Sequence, residues 1–186
     1  VQDQIAASYG GLNRIDFSKD GFVVNPLIIS NERKRELNGS LMLFFTGFSR
    51  YASDIENSRK KAMKDKTSEL KEMLSLVDDA QNVLVSKCDL NEFGRMLDHT
   101  WKLKRGITNK ISNDSIDAVY KKAIDAGALG GKLLGAGGGG FMLFYVEKDK
   151  QSRVRKALED LLYVPFEFEN GGTRIMYYAA EDYELK

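Results

Sequence analysis

The sequence predicts an α+β fold: a ferredoxin-like split βαββαβ domain with extra helices, preceded by a β-hairpin. Three observations predict it. Two continuous apolar runs, residues 41–45 and 141–146, have the length and composition of buried strands. Between and after them, apolar residues recur at helical spacing with charged residues on the other faces. Eight glycines fall between Gly127 and Gly140 and separate the last of the middle helices from the second strand run. From residue 41 onward the order is strand, helices, strand, strand, helix, strand.

Each element has its own signal. Residues 1–11 read as the tail of something that began earlier, with Ile5-Ala-Ala-Ser-Tyr9 of short-helix character running into Gly10-Gly11. Residues 12–17 and 22–29 read as strands joined across Ser18-Lys-Asp-Gly21, where Asp-Gly supplies the positive φ of a tight turn. Pro26 marks an edge or a strand end. The run 41–45 reads as a strand buried on both faces. A first helix is expected over residues 52–64. Leu70, Met73, Leu74, Val77 and Leu84, then Leu90, Phe93, Leu97 and Trp101, define one or two more.

Ser112 and Asn113 are N-caps for a helix with Ile116, Val119, Tyr120, Ala123 and Ile124 on one stripe, stopping at Gly127. A short strand at 132–134 leads into the glycines. After the strand at 141–146, Val154, Ala157, Leu158, Leu161 and Leu162 give an amphipathic helix. Strands are expected at 164–168 and 173–178, divided by Asn170-Gly-Gly172. Trp101 belongs to the core, His99 points away from it, and Cys88 reads as a small buried or half-buried residue.

Composition removes several function classes. With 186 residues, 42% of them hydrophobic, the chain can bury one good core or two small ones. Its 28 Lys and Arg against 27 Asp and Glu give no chain-wide attraction to nucleic acid or an anionic membrane. No apolar run is long enough to span a bilayer, and the N-terminus has no signal-peptide pattern, so the expectation is a cytoplasmic protein. One cysteine and one histidine exclude an intramolecular disulfide and the Cys/His zinc patterns.

The glycine cluster asks for a function. Gly135-Ala-Gly-Gly-Gly-Gly140 satisfies G-x-G-x-x-G, but a dinucleotide fingerprint needs a strand before it and a helix after it, and here a strand follows. A phosphate-binding P-loop fails as well, because Lys132 precedes the glycines and no Gly-Lys-Ser/Thr follows. A plain hairpin needs only one or two glycines. Four in a row expose successive backbone N–H groups, the geometry of an anion-cradling nest or of a loop on which another loop sits closely.

Lys132-Leu-Leu-Gly-Ala-Gly-Gly-Gly-Gly-Phe141 resembles the third motif of the GHMP kinases, small-molecule kinases whose second lobe is ferredoxin-like. Asp3-Gln4, followed by Tyr9-Gly-Gly11, resembles the segment that carries the catalytic aspartate in the sugar-kinase members. With Gly-Gly-Leu-Asn13 and Ser112-Asn-Asp114, the combination is similar to members acting on D-glycero-D-manno-heptose 7-phosphate. The family's earlier phosphate-wrapping loop, Pro-x-x-x-Gly-Leu-x-Ser-Ser, has no match between Val1 and Lys186. The resemblance implies a C-terminal kinase part that lacks its main ATP-binding loop, with residues 1–38 left from the N-terminal lobe and 39–186 forming the C-terminal lobe.

That resemblance implies ATP and Mg²⁺ as cofactors, a sugar phosphate and the missing lobe as partners, and transfer of the γ-phosphoryl to the anomeric hydroxyl. Asp3 is the implied catalytic residue. Gly135, Ala136, Gly137, Gly138, Gly139 and Gly140 form the implied phosphate loop. Gly10, Gly11, Arg50 and Lys132 are candidates for substrate contact, and no residue is singled out as a metal ligand. The competing readings are a family kinase for galactose, fucose or an N-acetylhexosamine, and a non-catalytic ferredoxin-like ligand-binding domain. An RNA-binding module is disfavoured, because no Lys/Arg-Gly-Phe/Tyr segment of the RRM type is present.

Overall fold

The computed structural model describes residues 1–47, 66–107, 111–135 and 139–178. The helix expected over 52–64 lies outside them. The chain divides into two compact units, Val1–Ile28 with Glu167–Lys186, and Ile29–Phe166.

In the first unit, helix α1 (Gln2–Tyr9) buries only Ile5 and ends at Gly10, whose φ of 66° suits a residue without a Cβ. Strands β1 (Asn13–Ser18) and β2 (Gly21–Pro26) pair antiparallel from Asn13↔Pro26 to Ser18↔Gly21. The hairpin is the one expected, but its turn differs. Positive φ falls on Gly21 at 136°, and Asp20 does not share it, since no described non-glycine residue has positive φ. Instead the Ser18 hydroxyl accepts a hydrogen bond from the Asp20 amide at 3.2 Å, a serine turn that reverses the chain without a left-handed Asp. The strand expected at 173–178 does not form. A strand exists only against a partner edge, and among the described residues none pairs with this segment.

The second unit opens with helix α2 (Asn31–Ser40), capped by the Ser30 hydroxyl, which accepts from the Arg33 amide at 3.1 Å. It runs directly into β3 (Leu41–Phe45). Helices α3 (Thr67–Val85), α4 (Asn91–Ile107) and α5 (Asp114–Asp125) follow, then β4 (Gly130–Leu133) and β5 (Phe141–Tyr145). A 3₁₀ turn at Lys148–Lys150 leads into α6 (Gln151–Ala157), and β6 (Leu162–Val164) closes the sheet. The sheet order is β4-β5-β3-β6 with every neighbouring pair antiparallel. This interleaves two split βαβ units and is the ferredoxin-like arrangement expected. The last strand lies at Leu162–Val164 instead of 164–168, because α6 ends at Ala157 and leaves Leu162 to the sheet.

Met42, Phe44, Met142 and Phe144 face one side of the sheet, where Trp101, Ile116, Tyr120, Ala123, Val154 and Leu158 complete the core. Pleating sends Leu43 and Phe45 to the other side, where they are half-buried. The expected burial of β3 on both faces holds in part: the core side chains of α5 and α6 cover one face, while on the other Leu41 is buried and Leu43 and Phe45 are only half-buried. Cross-strand stacking of Phe45 on Phe141, with ring centroids 5.1 Å apart, shields part of the other. Among the described residues no helix is long and apolar enough to cross a membrane.

Helix ends are closed by local chemistry. The Asn113 side chain accepts from the Ile116 amide at 3.0 Å, as the sequence predicts for the start of α5. At its other end the Gly127 amide bonds to Ile124 O at 2.9 Å and the Ala128 amide to Ala123 O at 3.0 Å, a Schellman closure around Gly127 with φ 115°. Arg33, from α2, donates through Nη2 to the carbonyls of Val83 and Cys88, both at 2.6 Å, and so closes the end of α3. Cys88 sits in the turn this creates and is exposed, not buried as expected; its backbone is held inward, leaving the thiol outside. Arg33→Ala is expected to lower the unfolding free energy by about 1.5 kcal/mol, read from a urea midpoint at unchanged slope.

Candidate functional site

The glycine segment joins β4 to β5, and its base is closed by the Leu134 amide bonding to Phe141 O at 2.8 Å. Ala136, Gly137 and Gly138 lie outside the described residues, as does Arg50. The two ends of the loop take the left-handed region, Gly135 at φ 78° and Gly140 at φ 108°, where a Cβ would be strained.

Both ends are anchored from outside the loop. Thr46, the residue after β3, is buried, and its hydroxyl accepts from the Gly140 amide at 3.0 Å and donates to Gly140 O at 2.9 Å. The Thr46 amide adds a third bond to Gly140 O at 2.8 Å. At the other end Lys104 of α4 donates from Nζ to Gly135 O at 3.2 Å. Neither residue was among those singled out from the sequence. Thr46 carried a weak signal, a hydroxyl directly following a buried strand, whereas Lys104 carried none beyond lying one turn from Trp101.

The remaining glycines have other duties. A Cβ on Gly130 would lie 2.0 Å from Gly94 O and 2.6 Å from the Asp98 amide nitrogen, so α4 rests on the bare backbone of β4. A Cβ on Gly131 would lie 2.5 Å from the Phe144 ring and 2.6 Å from Leu143 O. Gly127 ends α5. The surplus therefore splits into a helix stop, a helix-to-strand contact and a loop.

Lys132 lies on β4 opposite Leu143, half-buried, three residues before the loop. Burial draws its ammonium below the usual lysine range, and no described residue gives it an ionic partner. Behind the strand, the Tyr120 hydroxyl donates to Asp98 Oδ1 at 2.6 Å and ties α5 to α4. Burial, and then the Asp98 carboxylate, push that phenol well above its ordinary value. The Ser112-Asn113-Asp114 motif lines an open cleft of about 480 Å³ with Lys102, Arg105 and Asp117. Most of its polar groups are already engaged: Asn113 caps α5, Ser112 donates to Asp117 at 2.5 Å, Arg105 pairs with Asp117, and Lys102 pairs with Asp98 outside the cleft.

In the other unit, Asp3 is exposed in the first turn of α1, and its carboxylate makes no hydrogen bond or ion pair among the described residues. Gly10 and Gly11 follow that helix, and a Cβ on Gly10 would lie 2.4 Å from the Gly171 carbonyl carbon. Gly10 is thus a residue of backbone packing. His99 is exposed and bonds Glu72 at 2.6 Å, bridging α4 to α3, while Trp101 is fully buried, both as expected.

Residues 76–164 match the family described as GHMP kinases C terminal. That segment therefore matches the C-terminal domain of the GHMP kinases, the family whose motifs this chain resembles. It is 39% identical over 161 residues to D-glycero-alpha-D-manno-heptose 7-phosphate kinase of Campylobacter jejuni, a match covering 85% of this chain and 47% of that protein. It is 28% identical over 168 residues to the bifunctional fucokinase/GDP-fucose pyrophosphorylase of Arabidopsis thaliana, covering 86% of this chain and 16% of that protein. The crystal structure of a D-glycero-D-manno-heptose 1-phosphate kinase from Bacteroides thetaiotaomicron matches with a TM-score of 0.65 at 27% identity, over 95% of this chain and 49% of that one. This chain therefore spans about half the length of either heptose kinase.

Two substitutions test the anchoring. Thr46→Val keeps the shape and removes the hydroxyl, so the Gly140 amide is expected to exchange faster and stability to fall by about 1 kcal/mol. Gly130→Ala forces α4 off β4 and is expected to lower stability by about 1–3 kcal/mol in urea unfolding.

Proposed function

We propose that this chain is the C-terminal part of an ATP-dependent kinase that phosphorylates the anomeric hydroxyl of D-glycero-D-manno-heptose 7-phosphate. The observation that carries the reading is a glycine loop anchored at both ends inside a GHMP kinase C-terminal domain. The identity to the Campylobacter heptose kinase supports the choice of sugar. Residues 1–38 would belong to the N-terminal lobe and 39–186 to the C-terminal lobe. The rest of the N-terminal lobe, with the main ATP loop, would come from polypeptide beyond this sequence, and the 186 residues alone are expected not to turn over. In this reading the enzyme works in the cytoplasm, the location expected from the sequence.

Phosphoryl transfer asks a protein mainly for alignment and for stabilisation of charge. In this reading the Asp3 carboxylate orients the attacking hydroxyl and accepts its proton. The loop from Gly135 to Gly140 would border the transferred phosphoryl with backbone N–H groups, the Gly140 amide excepted because it is held by the Thr46 hydroxyl. Lys132 offers a cation without a carboxylate partner among the described residues, suited to a substrate phosphate, and Arg50 and Gly11 remain candidates for sugar contact. Mg²⁺ would arrive with the nucleotide. Among the described residues no cluster of three His, Cys, Asp or Glu side chains could hold it.

The similarity to a plant fucokinase supports a second reading, fucose as acceptor. Assaying the complete kinase with ATP against heptose 7-phosphate, fucose, galactose and an N-acetylhexosamine decides between them. The heptose phosphate is expected to give the highest kcat/KM, and a preference for fucose would replace the proposal. Asp3→Asn in that kinase is expected to lower kcat by about 10²–10⁴-fold with the fold intact. Undiminished turnover would remove Asp3 from the mechanism.

A further inference from the structure

We infer that the Gly171-Gly172 turn is a positioning element for Asp3, closing on the far end of α1 and fixing the helix that carries this carboxylate. The inference rests on the assignment of Asp3 as the catalytic residue.

Helix α1 has little else to hold it. Eight residues make a helix that is unstable by itself, and one buried side chain, Ile5, supplies its packing. Its last carbonyls have no partner within the helix. They find one in the turn: the Thr173 amide donates to Ala7 O at 3.1 Å and to Ser8 O at 3.2 Å. In the other direction the Gly11 amide donates to Glu169 O at 2.8 Å. The Glu169 carboxylate accepts from the Gly171 amide at 2.7 Å and sets the shape of the turn.

The two backbones meet with no room for side chains. A Cβ on Gly172 would lie 1.7 Å from Ser8 O and 2.4 Å from its carbonyl carbon, and one on Gly10 would lie 2.5 Å from the Gly172 nitrogen. These obstacles are main chain and cannot swing aside. Gly171 differs. The three atoms nearest its Cβ all belong to the Arg174 guanidinium, with Nη2 at 2.0 Å, the far end of a flexible side chain. Adjacent glycines in one knot therefore have opposite tolerances.

Asp3 has no hydrogen-bonding neighbour among the described residues to aim it, so its direction is set by α1 as a rigid rod. The rod is fixed at its C-terminal end. In-line transfer is sensitive to displacements of about 1 Å, which cost about 100-fold in rate.

Amide hydrogen exchange on the 186-residue chain tests the clamp. Gly172→Ala is expected to speed exchange at Gly10, Gly11 and Thr173 by about tenfold, leaving Leu134 and Val146 unchanged, and Gly171→Ala to change none of them. Equal loosening by both variants, or by neither, overturns the clamp. In the complete kinase, Gly172→Ala is expected to lower kcat by about 100-fold with KM for sugar phosphate and ATP unchanged. Glu169→Ala, which removes the turn's hydrogen bond without adding bulk, is expected to act in the same direction by a smaller factor. Undiminished kcat in both, or a loss confined to KM, overturns the positioning role. Asp3→Asn measured beside them separates the two claims: if it turns over at the unmodified rate, the catalytic reading fails even with the exchange pattern as expected.

Discussion

The contact on which the larger unit depends is the one made without side chains, where α4 lies on β4 through Gly94 and Gly130. Helix-interior glycine is unfavourable by about 1 kcal/mol relative to alanine, so its presence in α4 needs a return elsewhere. The close approach supplies it. It sets Trp101 into the core, brings Asp98 within reach of the Tyr120 hydroxyl, and places Lys104 at the Gly135 carbonyl. Core, helix pair and loop are thus registered by one backbone-on-backbone contact.

The same logic explains how a glycine-rich loop can be stiff at its ends. Glycines contribute no side-chain contacts of their own, and their conformational freedom opposes order. Order at Gly135 and Gly140 is imposed by neighbours, a buried hydroxyl following the central strand and a lysine from the supporting helix. Such a loop can present main-chain donors without carrying charge of its own, while the cations stand on its supports, Lys104 on the helix behind it and Lys132 on the adjoining strand. Under the proposed function such a loop would meet a polyanion and then release it, and separating shape from charge suits that role.

Much of this was legible in the sequence because the signals were strong and local. The apolar runs gave β3 and β5, the stripe from Ile116 to Ile124 gave α5, and Asn113 and Gly127 gave its two ends. Helix α2 was missed because it buries little more than Leu37, so no apolar period announces it, and only Ser30 marks its start. The hairpin turn was misjudged because Asp-Gly is a strong cue that a nearby serine hydroxyl can overrule. At the site, the motif residues were readable but their division of labour was not. That Gly130 serves packing while Gly140 serves the loop depends on what lies across from each, which no spacing records. Thr46 is ninety-four positions from its partner, and only the folded chain brings them together.

The segment that follows the clamp leaves a different legacy. Ile175, Met176, Tyr177 and Tyr178 are between 80% and 92% exposed, consecutive, uncharged and rich in β-forming side chains. A run of that kind, with no strand beside it among the described residues, is adhesive toward any free sheet edge, including that of another molecule. The colloidal behaviour of this polypeptide is therefore governed less by its net charge, close to zero, than by whether those four residues are covered, and its handling in concentrated solution turns on them.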